Sequence, residues 1–573
     1  VYGGRGRVAV DEAGRKEHHV AAPHHTAEDT AAAPAAAIAE WRAVLGDAWV
    51  DDAPVTRARL EQATFAVPGR VAVHLRPGTP DEVAACLRVA ARHGVAVNVF
   101  SRGKNYGYSA NGPAAGAAAA MELSRLSAIT EFDEELGYAR VQAGVTFAQL
   151  NHFLADRGSR RFVPSTGGPT DGSVLANTVE RGHGLGVGGD RYAHSCRYEI
   201  VTARGERFET GFGRFEGSRI ANLMRSGVGP SIDGLFTQSS LGVVTAATIW
   251  LPRRPRHWTA FLVPTPSRDR IGGLFACVGE AARQGLVRDG MAFAFNEYKL
   301  ASLVLRREDF GPLGGASLPW AGLRLHSKRW MHSAWFLACT VEADSEALLE
   351  AKERALEDVF RPALRAGERL VVLSASRARL ALAASRLMPS AVAATVRQMV
   401  DVFHTHAPVL GHLIDQPLRT VYWPMPRARA LAGDDLHADG VGLLWVSVPV
   451  PLREAEVTLV ATRIDEGLLA HGFEPSTQVT LVSERLARVI TALMYDRSVP
   501  GRDEAAIRCA HDVYDDLRAR GYYTYRLAPY MMEEYAAYGA AHQGVVARLK
   551  HAMDPGGVLD PSRYPSGPIP GEE

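Results

Sequence analysis

Residues 162–190 read FVPSTGGPTDGSVLANTVERGHGLGVGGD, with glycines at 167, 168, 172, 182, 184, 186, 188 and 189. A stretch so rich in glycine is predicted to be neither a regular helix nor an ordinary strand. It predicts extended backbone held against something. A long surface loop is the plain alternative, but the interleaved Val174, Leu175 and Val179 are apolar and argue against it. A flat cofactor gripped by main-chain donors accounts for the density better. A second loop, SRGKNYGYSA from Ser101, follows a β-branched run and carries Gly103 and Gly107. Glycines there let backbone N–H groups approach an anion, and Arg102 or Lys104 supplies charge for a diphosphate. The loop matches neither the GxGxxG nor the GxxxxGKS spacing.

The rest of the chain frames these loops. RVAVHLRP reads as a strand. Thr79-Pro80-Asp81-Glu82 opens a helix, with Thr79 as N-cap and Glu82 closing a capping box, and Gly94 stops it. VAVNVFS is the next strand and leads into the 101–108 loop. YARVQAG and TFAQLNHFLADRG repeat the strand–helix order, and YEIVTARGERFETG alternates like a hairpin. Pro252 and Pro255 punctuate the end of this half. Beyond it, TAFLVPTP, MHSAWFLACTVEA, GLLWVSVPVP and FEPSTQVTLVS read as strands. ALLEAKERALEDVFRPAL, RVITALMYD and EAAIRCAHDVYDDLRARG read as helices. No repeat of solenoid period is visible. The 573 residues favour two domains. The expectation is an α+β chain: an N-terminal disordered arm over 1–36, a first domain over 37–255, a second with an antiparallel sheet over 256–520, and a C-terminal segment over 521–573.

Composition removes several function classes. The formal net charge is +1, with 64 Lys and Arg against 63 Asp and Glu, so bulk charge points to no nucleic-acid or acidic-membrane partner. No apolar run reaches the length of a membrane span, and the N-terminus does not read as a signal peptide. The five cysteines, 86, 196, 277, 339 and 509, are odd in number with no CxxC pair. They read as buried hydrophobes in a reducing cytoplasm, although Cys196 follows the glycine stretch closely enough to lie near a cofactor. No metal is expected: His18, His19, His24 and His25 read as solvated, and His404, His406 and His412 lack a closed ligand set. His183, inside the glycine stretch, is a candidate for the cofactor's edge.

Taken in order, SRGKNYGYSA, MELSRLSAITEFDEELGYARVQAGVTFAQL, GSVLANTVERG, GGD, EIVTARGERFETG and GVGPSIDGLFTQSSLGVVTAATIWLPRRP resemble the vanillyl-alcohol oxidase and p-cresol methylhydroxylase flavoproteins. The resemblance covers residues 68–255 and resumes at GYYTYRLAPYMMEEY and MDPGGVLDPSRY. It implies a PCMH-type FAD-binding fold, with the 256–520 region as a cap over the flavin ring. It places Ser101, Arg102, Gly103, Lys104, Asn105, Tyr106 and Gly107 at the diphosphate. Ser165, Thr166, Gly167, Gly168, Ser173, Asn177, Arg181, Gly184, Gly189 and Asp190 fall along the flavin, and Gly242, Val243 and Val244 at the adenine end. It makes Tyr108, Tyr525 and Arg526 the group that holds a phenolic oxygen as phenolate; a cation and two hydroxyl donors lower a phenol's pKa.

The chain departs from that pattern in four places. Gly168 stands where phenol-oxidising members carry an Asp, with Asp171 the nearby carboxylate. Leu443 stands near the position that links FAD covalently, and Asn105 where other branches place a linking His, so non-covalent FAD is expected; His437 lies close to the same cap strand. Leu486-Ala487-Arg488 replaces acid–base residues. Three functions stay open: hydride removal from a C–H bond of a small phenolic or alcohol substrate, oxidation of a non-phenolic natural-product intermediate, and flavin binding with non-redox or lost catalysis. The electron acceptor, O2 or another, is open, as is a homodimeric state.

Overall fold

The computed structural model describes residues 33–565, apart from positions 110 and 305, 311–332, scattered positions between 391 and 434, and 536–538. Residues 1–32 of the expected arm, with His18, His19, His24 and His25, lie outside the described residues, as do His404, His406 and His412, while its last two residues, Ala35 and Ala36, open the helix Ala35–Leu45.

Among the described residues three sheets organise the fold. The first has the order β1 (Val50–Asp51), β2 (Arg70–Leu75), β4 (Ala117–Glu122), β3 (Val97–Phe100), with β2–β4 and β3–β4 parallel. The helix Pro80–His93 makes the crossover. Thr79 caps it by accepting from Glu82 N at 3.1 Å, and Gly94 ends it in the left-handed region. The expected capping box is only half formed, because the Glu82 carboxylate accepts from Gly78 N at 2.6 Å instead. The C-terminal segment returns to this sheet: Val97 N donates to Val558 O at 2.7 Å and Asp560 N to Val97 O at 3.0 Å.

The second sheet, antiparallel, has the order β5 (Ile129–Asp133), β6 (Tyr138–Gln142), β9 (Val243–Trp250), β7 (Ser195–Val201), β8 (Arg207–Glu209). The β7–β8 pair is the expected hairpin. These two sheets share one apolar core.

The third sheet has seven antiparallel strands in the order β13 (Val371–Ser374), β10 (His257–Thr265), β12 (Trp335–Ala343), β11 (Ala292–Asn296), β15 (Ser476–Ser483), β16 (Leu486–Asp496), β14 (Val441–Pro451). The architecture is α+β, as expected. One element differs: RVITALMYD is not helical but forms most of β16, paired along its length with β14 and β15. The β-branched Val489, Ile490 and Thr491 suit a strand, and burial on both faces removes the alternation that would have marked one.

The loop 101–108 meets this third sheet. Trp445 of β14 donates from Nε1 to Tyr106 O at 2.9 Å, and Thr64 Oγ1 accepts from Gly107 N and donates to Leu443 O, both at 3.0 Å. Among the described residues no helix is long and apolar enough to cross a membrane.

Candidate functional site

A long cleft opens between the two glycine-bearing loops and the start of β9, with about 1220 Å³ of empty space, its open mouth included. Of the residues singled out in the sequence, Ser101, Arg102, Gly103, Lys104, Asn105, Thr166, Gly168, Ser173, Asn177, Gly242, Val243, Val244 and Arg526 line it. Their positions follow from local structure. The loop leaves the carboxyl end of β3. Ser173 caps the short helix Val174–Val179 by accepting from Ala176 N at 3.0 Å, so the glycine stretch is not extended throughout, and Asn177 lies within this helix. The hydroxyls of Ser101 and Ser173 both donate to Ala143 O, tying the two loops together.

The cleft suits a large polar ligand. The carboxamide oxygen of Asn177 and one carboxylate oxygen of Asp560 are buried without a protein partner, although Asp560 Oδ1 accepts from Ser562. A Cβ on Gly168 would find open space toward the cleft, touching only the Thr166 side chain at 3.9 Å. Buried polar atoms need a partner, and a dinucleotide supplies donors and acceptors along its length. Lys104 is partly neutralised already. Its Nζ lies 3.4 Å from both Asp171 Oδ2 and Tyr106 Oη. Burial works against its charge, but Tyr106 and Asp171 outweigh it, and the ammonium is held charged.

The remaining residues expected at the cofactor do not line this cleft. Gly184 and Gly189 face the protein itself. Gly184 N donates to Gly189 O at 2.8 Å, and a Cβ on Gly189 would meet Gly184 O at 2.6 Å. Ser165 O accepts from Leu185 N and from Arg191. Asp190 Oδ1 accepts from Ala193 N, and Asp190 Oδ2 is 3.9 Å from His183 Nε2. Arg181 binds Thr237 through Nε at 3.0 Å and lines a neighbouring cavity with Tyr525. Gly167 has open space around its Cα but is not among the cleft's lining residues. Tyr106 packs edge-on against His437, and Gly107 lies against Trp445 and Leu443 of β14. Leu443 is buried, and Asn105 Oδ1 accepts from Arg526 Nη2 at 2.6 Å. Cys196 is buried like the other four cysteines and does not line the cleft.

At the Arg526 end of the cleft the sequence's phenol-binding candidates converge. The Arg526 guanidinium lies 4.3 Å from the Tyr108 ring centroid. Tyr108 Oη and Arg526 Nε are both buried without a protein partner. Burial, reinforced by Tyr525 and Tyr514, raises the Tyr108 phenol well above its ordinary value against the pull of Arg526. Tyr525 Oη accepts from Arg488 Nη1 at 3.2 Å, and the Tyr525 ring meets His183 edge-on at 5.4 Å. Burial, then the charge of Arg488, pushes the His183 imidazole down to about 3, so it is neutral. Behind Arg526, Glu180 pairs with Arg563 and lies 3.9 Å from Arg526. Burial pushes Glu180 toward protonation, but Arg563 and Arg526 outweigh it and keep the carboxylate charged.

Sequence reading gave no role to Glu180, Asp560, Arg563, Ser239 or Ser240, all of which line the cleft. Glu180, Asp560 and Arg563 fall inside motifs that carried the resemblance, and that was the available signal. Among the described residues no group of His, Cys, Asp and Glu is arranged to hold a metal.

Fold and cleft together define a flavoprotein, and residues 71–211 match the FAD binding domain family. A 1'-carboxy-chondrochloren decarboxylase of Chondromyces crocatus is 36% identical over 528 residues, 92% of this chain and 96% of that protein. The 4-cresol dehydrogenase (hydroxylating) flavoprotein subunit of Pseudomonas putida is 23% identical over 487 residues, 85% of this chain and 86% of that protein. The fold superposes on p-cresol methylhydroxylase with substrate bound at a TM-score of 0.80 and 20% identity, covering 93% of this chain and 96% of that one. The chain belongs to the vanillyl-alcohol oxidase and p-cresol methylhydroxylase family, as a divergent member. It is an FAD-dependent oxidoreductase, which sets aside the reading of a flavin-binding protein without catalysis.

Proposed function

We propose that this enzyme oxidises a para-hydroxyphenyl compound at the carbon attached to the ring. The observation that carries the reading is the stacked pair of Tyr108 and Arg526, whose Oη and Nε are buried without a partner. A buried guanidinium beside a buried phenol donor favours an oxyanion that both can reach, since charge-assisted hydrogen bonds strengthen on burial. FAD would be held by the 101–105 loop, Thr166, Gly168, Ser173, Asn177 and the start of β9, and would supply a two-electron acceptor for the hydride. The residues of the chain hold the ring and its phenolate. Glu180, fixed by Arg563, keeps Arg526 in place. We further propose that FAD is bound without a covalent link, because Leu443 and Asn105 offer no nucleophile. A reducing, cytoplasmic compartment agrees with five buried free cysteines.

The 36%-identical relative is a decarboxylase, and this supports a finer second reading in which the carbon next to the oxidised one bears a carboxylate. Loss of hydride from the ring-bound carbon makes the substrate an electron-poor quinone methide. The electron pair of the adjacent C–carboxylate bond then forms the alkene, CO2 leaves, and the phenolate is restored.

Arg526→Met tests the phenol reading. It removes the charge and donors while keeping length, so kcat/KM on the true substrate is expected to fall about 30- to 1000-fold, roughly 2–4 kcal/mol, with FAD retained. Masking the phenol as its methyl ether should cost the wild type a similar factor. Unchanged activity with FAD retained would transfer the enzyme to non-phenolic substrates; loss of FAD would make Arg526 structural.

A further inference from the structure

Among the described residues five arginines are almost wholly buried: Arg140, Arg191, Arg270, Arg488 and Arg526. Three face a carboxylate: Arg140 pairs with Glu209, Arg270 with Glu368, and Arg526 faces Glu180. Arg191 has no carboxylate, but its Nη2 caps the carbonyls of Pro164 and Ser165 at 2.5 and 3.1 Å, with Nε and Nη1 buried without a partner. Arg488, 6% exposed on β16 between Pro449 of β14 and Thr480 of β15, is different. Among the described residues its side chain makes one hydrogen bond, from Nη1 to Tyr525 Oη; its guanidinium lies 5.6 Å from the Tyr525 ring centroid, and its Nε is buried without a partner. Among the described residues no carboxylate pairs with it. The neighbouring His183 does not help, because it is held neutral.

A guanidinium withdrawn from water without an anion is costly. The cost is offset when a ligand brings the anion, and the planar fork of Arg matches a carboxylate with two parallel hydrogen bonds. Tyr525 joins this unpaired cation to the cavity beside the cleft and is followed in the chain by Arg526, which lines the cleft itself. The two arginines therefore define two anion positions, with Glu180 balancing only the Arg526 side.

We propose that Arg488 is the anchor for a carboxylate on the substrate's side chain, so that the enzyme selects para-hydroxyphenyl compounds carrying a side-chain carboxylate over their neutral counterparts. This rests on the phenol reading for the other end of the substrate. It names Arg488 as a specificity-determining residue and gives the decarboxylation reading its recognition element.

The test measures anaerobic binding by calorimetry to the protein with its FAD chemically reduced, so that no probe is oxidised as it binds, with three probes: 3-(4-hydroxyphenyl)propanoate, 4-propylphenol and 3-phenylpropanoate. The wild type is expected to bind the first about 10- to 100-fold tighter than 4-propylphenol. Arg488→Met should bring that ratio to within about threefold, and Arg488→Lys should restore part of it. The ratio is the readout, so a general loosening of Tyr525 does not imitate the result. A wild-type ratio near one, or a ratio kept in Arg488→Met, overturns the proposal. If Arg488→Met loses FAD, the same ratio is read in Arg488→Gln and in the wild type. Should 3-phenylpropanoate bind as tightly as its hydroxylated analogue, with Arg488 still required, the phenol reading fails and the carboxylate anchor stands.

Discussion

The two halves of the glycine-rich stretch use glycine for opposite reasons. Between 166 and 177 most residues line the cleft, Thr166, Gly168, Gly172 and Asn177 among them, and a side chain on Gly168 would project into open space. From 182 to 190 the glycines press on the protein. A Cβ on Gly182 would collide with the Asn177 side chain, and one on Gly184 with the Ser165 carbonyl. Gly186 crosses the 256–520 region: its N donates to Gly290 O at 3.0 Å, its φ is +83°, and a Cβ there would run into the Val409 carbonyl. The first half is shaped for a ligand, while the second lets one part of the chain pass close to another. Glycine density alone says that something must come close, not what it is.

That contrast is sharpest at Gly186 and Gly168. Gly186→Ala combines a left-handed φ that L side chains resist with a backbone collision that no rotamer relieves. About 1–3 kcal/mol of strain and a comparable overpacking term predict a destabilisation of roughly 2–6 kcal/mol. It should appear as a large fall in melting temperature of the FAD-free protein, or as insoluble expression. A melting temperature within a degree or two of wild type would show that the crossing is not close. Gly168→Val should do the reverse. The space around its Cα admits the side chain, so the FAD-free protein is expected to melt as wild type does. The branched side chain then occupies the cleft, and FAD should fall below detection in the purified protein. Wild-type protein precipitated with acid should release its flavin to the supernatant; flavin retained in the pellet would overturn the non-covalent proposal. Full FAD occupancy in Gly168→Val would remove this residue from the cofactor's path.

Much of the fold was legible because its signals are local. Thr79, Gly94 and the 147–156 helix carry capping and stop residues, and the β7–β8 hairpin alternates. RVITALMYD was misread because a strand buried on both faces has no alternation, and only its long-range pairing with β14 and β15 distinguishes it from a helix. The cleft's loops were legible through glycine and through the family's motif order. The assignment of Gly184, Gly189 and Asp190 to the flavin shows where that reasoning stops, since a glycine against a ligand and a glycine against backbone look alike in sequence. Arg488 had no local pattern at all. Its meaning depends on Tyr525, 37 residues away, and on the lack of a carboxylate near it among the described residues.

The smallest expected effect concerns pH and again falls on the packed half. His183 lies there, 3.9 Å from Asp190, with Arg488 and Arg191 also acting on it, and its imidazole is pushed down to about 3, first by burial. His437, packed against Tyr106, is likewise pushed down to about 4, again first by burial. Both values lie below the ordinary 6.5, so the folded protein resists protons that the unfolded chain accepts. Stability contributed by the neutral rings is therefore fully present above about pH 6.5 and is lost as pH falls toward 3 to 4. At pH 5 each ring should account for about 2 kcal/mol of loss. Glu180 and the other depressed carboxylates do not protonate until lower pH, but Asp465, pushed up to about 6 by burial, also titrates between pH 6.5 and 5, so it is the difference between wild type and the histidine variants that isolates the rings. Melting temperature followed across that window should fall steeply for the wild type and less steeply for His183→Gln. The remaining slope should shrink again when His437→Gln is added. If His183→Gln keeps the full wild-type slope, His183 is not held neutral by burial, and the packed half of the stretch is more open to water than its glycine contacts imply.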